Sequence, residues 1–406
     1  MTVKRVSQPL GFAIIFSLAL SLAGIGCVKY SVKADQHQDT VVSLKGTDLN
    51  SYIETYAEVV YRNYQDSRQE AERMAEAIAA FLAQPNKTTQ DGAKQAWIKA
   101  RQSYLQTEAF RFYEGPIDFI NSETGEEGPE GRINAWPMNE AFIDYVRGKA
   151  NAGLINNPSF DVSIESILAN DQVSDEADVT TGWHAIEFLL WGQDFNAQSP
   201  GDRSYTDFEH NKGNNNRRRE YLKLVTAQLV EDLTFLESEW QPGKDNYRAE
   251  FLQGDPKETL SKIFTSLATL SAFEMSSERM AVALDSGNQE DEHSCFSDTT
   301  YQDFVYNAQG IYNVYLGNYQ GYEGKGFNEL VAQVNPSFNQ QVIAALETTK
   351  TAISQINQPF DQVLVSPQGS PEREEVETAI TALEDQADMF VKLGDVLGIE
   401  VEIIAE

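Results

Sequence analysis

Residues 181–193 read TGWHAIEFLLWGQ, an apolar stretch that contains one histidine and one carboxylate. Its Trp, Ile, Phe and Leu side chains predict a buried helix over residues 183–192. His184 and Glu187 are three positions apart, so on a helix they share one face about a turn apart. Burial of an unpaired carboxylate is costly, so Glu187 needs an arginine, hydrogen-bond donors, the histidine or a metal ion beside it.

Helical periodicity continues through most of the chain. Apolar residues recur at steps of three and four, for example at Val376, Ile380 and Leu383. Asp255 and Ser370 each precede a proline, which is the pattern of a helix start. Alternating strand patterns are scarce, so we predict an all-α fold of two helical-bundle halves, with a weak internal similarity that suggests pseudo-symmetry. The predicted helices cover residues 48–83, 91–113, 183–192, 217–239, 255–284, 301–316 and 338–355, and a last one begins at Ser370.

The first residues have the pattern of a bacterial export signal. Residues 1–27 combine Lys4 and Arg5 with an apolar segment too short to span a membrane and a small-residue ending, GIGC. The ending is similar to a lipoprotein signal, which would tether the protein to a membrane through a lipid on Cys27, and ordinary cleavage nearby is the alternative. We therefore predict an exported protein of the periplasm or outer envelope. The predicted parts after the signal are a tether (28–45), an N-terminal helical half (46–215) and a C-terminal helical half (216–406).

Charge and cysteine content restrict the function. The 406 residues have a formal net charge of −31. This charge argues against nucleic acid as a partner, because phosphates require a basic surface. It is compatible with attraction of cations, and solubility is the alternative explanation. The two cysteines, Cys27 and Cys295, do not indicate a disulfide-built scaffold.

Two acids continue the apolar face of the helix predicted over residues 255–284. At about 100° per residue, Glu274 falls nearly in line with Leu267, and Glu278 follows one turn later. A structural ion pair, for example between Glu278 and Arg279, is the alternative explanation.

A third helix, predicted over residues 91–113, places Glu108 close to its inward row. Arg111 follows three residues later and could pair with it. Three helices would then direct carboxylates into the interior, and such groups raise one another's pKa unless a cation lies among them.

The loop sequence EDEHSCFSD at residues 290–298 supplies further ligand types. His293 and Asp298 suit iron, zinc or manganese. Cys295 would favour zinc, but a lone thiol is weak support, and a solvated acidic loop is the alternative. The chain lacks the HExxH and HxxEH zinc-protease motifs, the GxSxG motif and a Walker phosphate loop.

The sequence GWHAIE at residues 182–187 resembles the GxHxxE signature of the imelysin family, exported bacterial proteins once grouped as insulin-cleaving peptidases. The resemblance extends over roughly residues 45–400. The other similar stretches are AWIKARQSYLQTEAFRFYEGPID (96–118), SSERM (276–280) and EDEHSCFSDTTYQDFVYNAQGIYNVYLG (290–317). The stretch at residues 290–317 is most like the iron-regulated protein A branch of the family, known from cyanobacteria and other bacteria.

The resemblance implies two helical bundles with a site near their junction, where the GxHxxE helix approaches the SxxER region. It also implies a role in iron acquisition, because imelysin-like domains occur beside iron-uptake components. Glu108 and Glu274 come mainly from the helical periodicity. The residues that match the family are His184, Glu187, Glu278, Arg279, His293 and Asp298.

We predict a metal-binding protein, with iron as the favoured ion because oxygen and imidazole ligands dominate, and zinc as the alternative. Its partners would be the metal ion and an envelope iron-transport component. The alternatives are a metallopeptidase, in which Glu187 is a base or a ligand, and a surface scaffold whose buried acids pair with arginines. Two metal sites are expected, and the division of the acids between them stays open. One would involve Glu108, His184 and Glu187, and the other Glu274 or Glu278 with His293 and Asp298.

Overall fold

The structure is a computed structural model that describes Leu44 and residues 46–405. The predicted signal, the lipidation of Cys27 and nearly all of the predicted tether lie outside these residues. The described residues are mostly helical, with two short hairpins, which confirms the all-α prediction. Within this part of the chain, no helix has the length and apolar character needed to cross a membrane.

The α-helices of the described residues are numbered in chain order. They are α1 (Asn50–Ala83), α2 (Lys87–Leu105), α3 (Glu130–Asn134), α4 (Glu140–Ile143), α5 (Ile164–Leu168), α6 (Gly182–Trp191), α7 (Asn215–Trp240), α8 (Tyr247–Gln253), α9 (Pro256–Thr269), α10 (Val282–Ser286), α11 (Thr300–Leu316), α12 (Phe327–Val334), α13 (Pro336–Gln355), α14 (Asp361–Leu364) and α15 (Pro371–Leu397).

Two antiparallel hairpins and several tighter or wider helical segments complete the described part. The strands are β1 (Ile120–Asn121) with β2 (Glu126–Glu127), and β3 (Asn318–Tyr319) with β4 (Tyr322–Glu323). The 3₁₀ segments are Gln106–Phe110, Leu154–Asn156, Tyr205–Phe208 and Gln289–Asp291, and a π-helix covers Leu270–Ala281.

Polar caps begin several of the long helices. The Asp255 carboxylate accepts hydrogen bonds from the backbone N–H groups of Lys257 and Glu258 at 2.9 and 3.2 Å. These bonds satisfy donors that have no partner within α9. Ser370 also stands at the predicted start of α15, but its hydroxyl hydrogen-bonds to Ser366 instead of capping the helix.

The helices pack around two groups of neighbours. In the first, α1 packs against α2 and α7, and in the second, α15 packs against α13, α9 and the π-helix. Helix α11 contacts α2 and α13, and so links the groups. The described residues belong to one compact unit, and the division into halves at residues 215 and 216 stays a prediction.

Helix α11 lies unusually close to the 3₁₀ segment Gln106–Phe110. A Cβ atom at Gly310 would lie 2.4 Å from the carbonyl oxygen of Gln106, so only glycine permits this approach. The contact fixes the segment that carries Glu108, and it brings α11 against the centre described below. The helix predicted over residues 91–113 ends earlier than expected. Its α-helical winding stops at Leu105, and the 3₁₀ segment follows.

The helix predicted over residues 255–284 changes its winding after Thr269. In the π-helix Leu270–Ala281, hydrogen bonds join residues five positions apart, so each turn contains more residues than in an α-helix. The expectation that Glu278 faces the interior was wrong, since Glu278 is exposed and Arg279 is buried. A constant 100° per residue places Glu278 inward only if α-helical winding continues.

Candidate functional site

Helix α6 begins at a glycine that no other residue could replace without strain. Gly182 has a φ of 83°, and a Cβ atom there would lie 2.4 Å from the carbonyl oxygen of Ile133. Trp97 on α2 donates a hydrogen bond from Nε1 to the carbonyl oxygen of Trp183 at 3.0 Å. All ten residues of α6 are buried, so these contacts set its position inside the molecule.

His184 and Glu187 contact each other on α6, as their spacing predicts. His184 Nδ1 lies 3.0 Å from Glu187 Oε2, and both residues are buried. The other carboxylate oxygen, Oε1, accepts hydrogen bonds from the backbone N–H and the hydroxyl of Ser297 at 2.9 and 2.6 Å. Glu187 therefore joins α6 to the loop that contains His293.

The structure brings His293 beside His184, with the ring centroids 4.8 Å apart. His293 Nδ1 lies 2.6 Å from Oδ2 of Asp303 on α11, and the Ser294 hydroxyl donates to the same oxygen at 2.6 Å. The two histidines come from distant parts of the chain, and together with Glu187 and Asp303 they form a buried polar group, here called the histidine centre.

Arg101 completes the histidine centre, and the sequence analysis did not identify it. Its Nη2 atom lies 3.3 Å from His184 Nε2 and 3.3 Å from His293 Nδ1. Its Nε atom lies 3.4 Å from Oδ1 of Asp303. The sequence did contain a signal for burial of Arg101, because it is four residues after Trp97 and so shares the inward face of α2.

Burial sets the protonation of the histidine centre. It lowers the pKa of His184, and the positive charge of Arg101 adds to this effect. Burial likewise lowers the pKa of His293, with Arg279 and Arg101 as the next causes. Burial raises the pKa of Glu187 to about 8, although the hydrogen bonds from Ser297 oppose this shift. At neutral pH both imidazoles are therefore neutral, and Glu187 is mainly protonated.

A second buried group pairs acids with arginines. Glu108 Oε2 accepts hydrogen bonds from Arg111 at 2.9 Å and from Arg279 at 2.7 Å. Arg279 also donates to Glu274 at 2.7 Å. Burial alone would raise the pKa of Glu108, but Arg111 and Arg279 outweigh it and lower the pKa to about 2. Glu108 and Glu274 thus have the arginine partners that the sequence analysis gave as the alternative to a metal ion.

Asn134 lies between the two groups. Its Oδ1 atom accepts a hydrogen bond from Arg101 at 2.8 Å, and its Nδ2 atom donates to Glu108 at 3.4 Å. The histidine centre and the arginine–carboxylate pairs are therefore neighbours, although the structure does not combine Glu108 and Glu187 in one cluster of ligand atoms. Sequence periodicity could not reveal Asn134, since it lies on the short helix α3.

Asp298 belongs to a third group. It lies with Asp194 and Asp361, where one carboxylate oxygen of each residue is within 4.8 Å of the others. Among the described residues, no other set of three His, Cys, Asp or Glu side chains has ligand atoms this close together. The Cys295 thiol is buried and burial raises its pKa, which disfavours the thiolate that zinc would require.

The fold and these groups define an all-helical protein with a histidine, carboxylate and arginine centre in its interior. The chain belongs to the imelysin family, whose model, described as Imelysin, matches residues 60–390.

Similar proteins carry related descriptions. Iron-regulated protein A of Synechococcus elongatus is 24% identical over 401 residues, which cover 96% of this chain and 98% of the relative. An iron-regulated protein A precursor from Parabacteroides distasonis has a solved structure with a TM-score of 0.63 and 18% identity, covering 86% of this chain and 94% of that one. An imelysin-like protein from Psychrobacter arcticum gives a TM-score of 0.60 at 14% identity, with 87% and 97% covered. Both structures share the fold.

Proposed function

We propose that the protein binds iron between His184 Nε2 and His293 Nδ1, with Glu187 hydrogen-bonded to the other nitrogen of His184, and that it acts in iron acquisition or homeostasis. The observation that carries the proposal is the 4.8 Å approach of two imidazole rings, one of which belongs to a His-x-x-Glu pair. Two imidazoles with the carboxylate of Asp303, which lies beside His293 Nδ1, are a donor set that suits ferrous iron. The family relative named Iron-regulated protein A supports a link to iron.

Arg101 must move for one ion to contact both rings. Its Nη2 atom lies 3.3 Å from His184 Nε2 and 3.3 Å from His293 Nδ1. A cation shared by the two rings would occupy the position of this atom. Arg101 already contacts Asn134 and Asp303, so these two side chains can retain the guanidinium when it withdraws. The donors fit iron, and the cost of displacing Arg101 sets how tightly iron binds.

Iron binding at this centre also requires a proton to leave. The pKa of Glu187 is about 8, and a histidine that ligates through Nε2 donates its Nδ1–H to an ionised carboxylate behind it, so iron on His184 favours loss of the Glu187 proton. Binding should therefore release a proton below pH 8, and iron affinity should rise with pH.

The place of action that we propose is the bacterial periplasm or outer envelope. The basic start and apolar segment of residues 1–27 support export, and the GIGC ending supports a lipid anchor on Cys27. An envelope iron-transport component would then be the partner that supplies or receives the iron.

The direct test is anaerobic titration of chelator-treated full-length protein with Fe²⁺ by calorimetry. We expect saturable binding at the histidine centre, with the affinity of this site at least about tenfold lower in His184→Ala and in His293→Ala. His210→Ala is the matched control, because His210 is an exposed histidine outside the centre. Equal affinities for all four proteins would refute the proposal.

A further inference from the structure

We propose that Asp194, Asp298 and Asp361 form a second site, which binds a hard divalent cation such as Mn²⁺ or Ca²⁺ through carboxylate oxygens alone. This group is called the carboxylate site below. The proposal does not depend on iron binding at the histidine centre, because none of its three residues belongs to that centre.

The carboxylate site combines three separate parts of the chain. Asp194 follows the C-terminus of α6, Asp298 lies in the loop before α11, and Asp361 begins α14. One oxygen atom of each lies within 4.8 Å of the others. Oxygen atoms at this separation can ligate one ion, since metal–oxygen distances of about 2.3–2.6 Å for Ca²⁺ place ligand atoms within about 5 Å of each other.

Asp361 supplies independent support for a ligand. Its side chain is completely buried, and its Oδ2 atom has no hydrogen-bond partner among the described residues. Asp298 Oδ1 is also buried without a hydrogen-bond partner in the described part of the chain. The same is true of both carboxylate oxygens of the buried Glu292, six residues before Asp298. Such oxygens are uncommon in folded proteins and require an explanation.

Basic side chains do not supply that explanation. In the described residues, no lysine, arginine or histidine forms a salt bridge with Asp194, Asp298 or Asp361. The donors present are neutral: Gln289 Nε2 bonds to Asp194 and Asp361, and the Asn196 N–H bonds to Asp194. The contrast with Glu108 is direct, because two arginines neutralise that buried carboxylate.

Three carboxylates this close repel one another when they are ionised. A divalent ion would supply the positive charge that the group lacks. Ligands that are all oxygen select hard cations over softer ones, which indicates Mn²⁺, Ca²⁺ or Mg²⁺ instead of zinc.

Solvent can reach the carboxylate site from one side. Asp194 lines a surface cleft of about 530 Å³, together with Gln193, Asn196 and Asp202. A hydrated cation can therefore approach Asp194 and exchange its water for carboxylate oxygens. Asp202 is an exposed acid of the same cleft and offers a matched control.

The test uses full-length protein freed of metal with a chelator and titrated with Mn²⁺, with the free ion measured by electron paramagnetic resonance. We expect saturable binding with a dissociation constant below about 1 mM. The affinity should be at least about tenfold lower in Asp298→Asn and in Asp361→Asn. Asp202→Asn should bind as the wild type does. His184→Ala should also retain Mn²⁺ binding, which separates this site from the histidine centre.

Thermal unfolding of the same proteins distinguishes a ligand role from a packing role. Asp298 has a φ of 55°, a conformation that asparagine tolerates, so Asp298→Asn should fold normally. Without metal, this variant should be at least as stable as the wild type, because one repelling carboxyl group is removed. Mn²⁺ should raise the Tm of the wild type, Asp202→Asn and His184→Ala, and should leave that of Asp298→Asn unchanged. Absence of saturable Mn²⁺ binding in the wild type, or unchanged binding in Asp298→Asn, would overturn the proposal and leave proton sharing as the explanation.

Discussion

Glu108 shows what a buried carboxylate requires. Two arginines contact one of its oxygens and hold its pKa at about 2, despite complete burial. We expect Glu108→Ala to destabilise the protein by about 3–5 kcal/mol, because Arg111 and Arg279 would keep buried charges without this partner. Chemical denaturation measures the loss. Glu278→Ala is the control, and its exposed side chain should change the unfolding free energy by less than about 0.5 kcal/mol.

Glu187 should make the metal-free protein less stable as the pH rises. Its pKa of about 8 in the folded protein exceeds the value of about 4.3 for an unfolded glutamate, so the folded state keeps a proton that the unfolded state releases. The stabilisation is present at pH 4 and is lost as the pH rises to 8. Ser297, His184, Arg101 and Asp303 are the polar groups around Glu187.

The measurement is Tm between pH 5 and pH 8.5 for wild type and Glu187→Gln. The Tm of the wild type should fall by several degrees over this interval. The Tm of the variant should fall less, because glutamine cannot ionise. Its remaining dependence on pH should come from Glu290 and Asp298, whose pKa values are also raised. Parallel curves for the two proteins would contradict the assignment to Glu187.

At the residue scale, the sequence revealed acids and histidines more readily than their partners. The His-x-x-Glu spacing predicted the contact between His184 and Glu187, because three residues on a helix fix a distance. Arg101 and Asp303 were missed, since they reach the centre from α2 and α11 through tertiary packing. No local periodicity determines which arginine meets which carboxylate.

At the scale of elements, Gly310 controls the approach of α11 to the segment that carries Glu108. We expect Gly310→Ala to cost about 1–3 kcal/mol, because its Cβ atom would lie 2.4 Å from the Gln106 carbonyl oxygen and force the two elements apart. Gly92→Ala on α2 is the control, since its Cβ atom would meet open space. That variant should gain about 0.5–1 kcal/mol from the greater helix propensity of alanine. If Gly310→Ala and the wild type had equal unfolding free energies in urea, α11 would be able to shift at no cost.

The long helices could be predicted from sequence, but their local winding could not. Apolar periodicity placed α1, α7 and α13 within a few residues of their observed bounds. The π-helix Leu270–Ala281 was not predictable from a 3.6-residue period, and its buried Arg279 reflects partners on other elements. Wider winding there places Glu274 and Arg279, five residues apart, in contact.

At the scale of the whole molecule, iron binding should protect two distant parts of the chain together. His184 lies on α6 and His293 in the loop before α11, so an ion bound to both would reduce opening of either part. Hydrogen exchange with and without Fe²⁺ should show slower exchange in α6 and in residues 292–299, with α13 unchanged. Protection of one part alone would show that the ion does not join them.

The all-α architecture follows from sequence periodicity, whereas the assembly of the centre depends on the tertiary fold. Residues 181–193 are apolar enough to predict burial of α6, and all ten of its residues are buried. The meeting of α6 with the loop of His293 depends on contacts between residues far apart in sequence, such as Ser297 with Glu187. Asp298 was predicted to share a site with His293, whereas the structure places it beside Asp194 and Asp361. These two residues are far from Asp298 in sequence, so local periodicity could not indicate the contact.

The pairing of Arg101 with Asp303 has a consequence for how an ion would leave the histidine centre. Both residues are buried, and their opposite charges lie 3.4 Å apart without any ion. A departing cation would leave behind an electrically balanced interior, so unloading need not loosen the fold. Among the described residues, the carboxylate site has no internal cation of this kind, so loss of an ion there would restore the repulsion between its acids. Ion release would thus lower the stability of the fold at one site and not at the other.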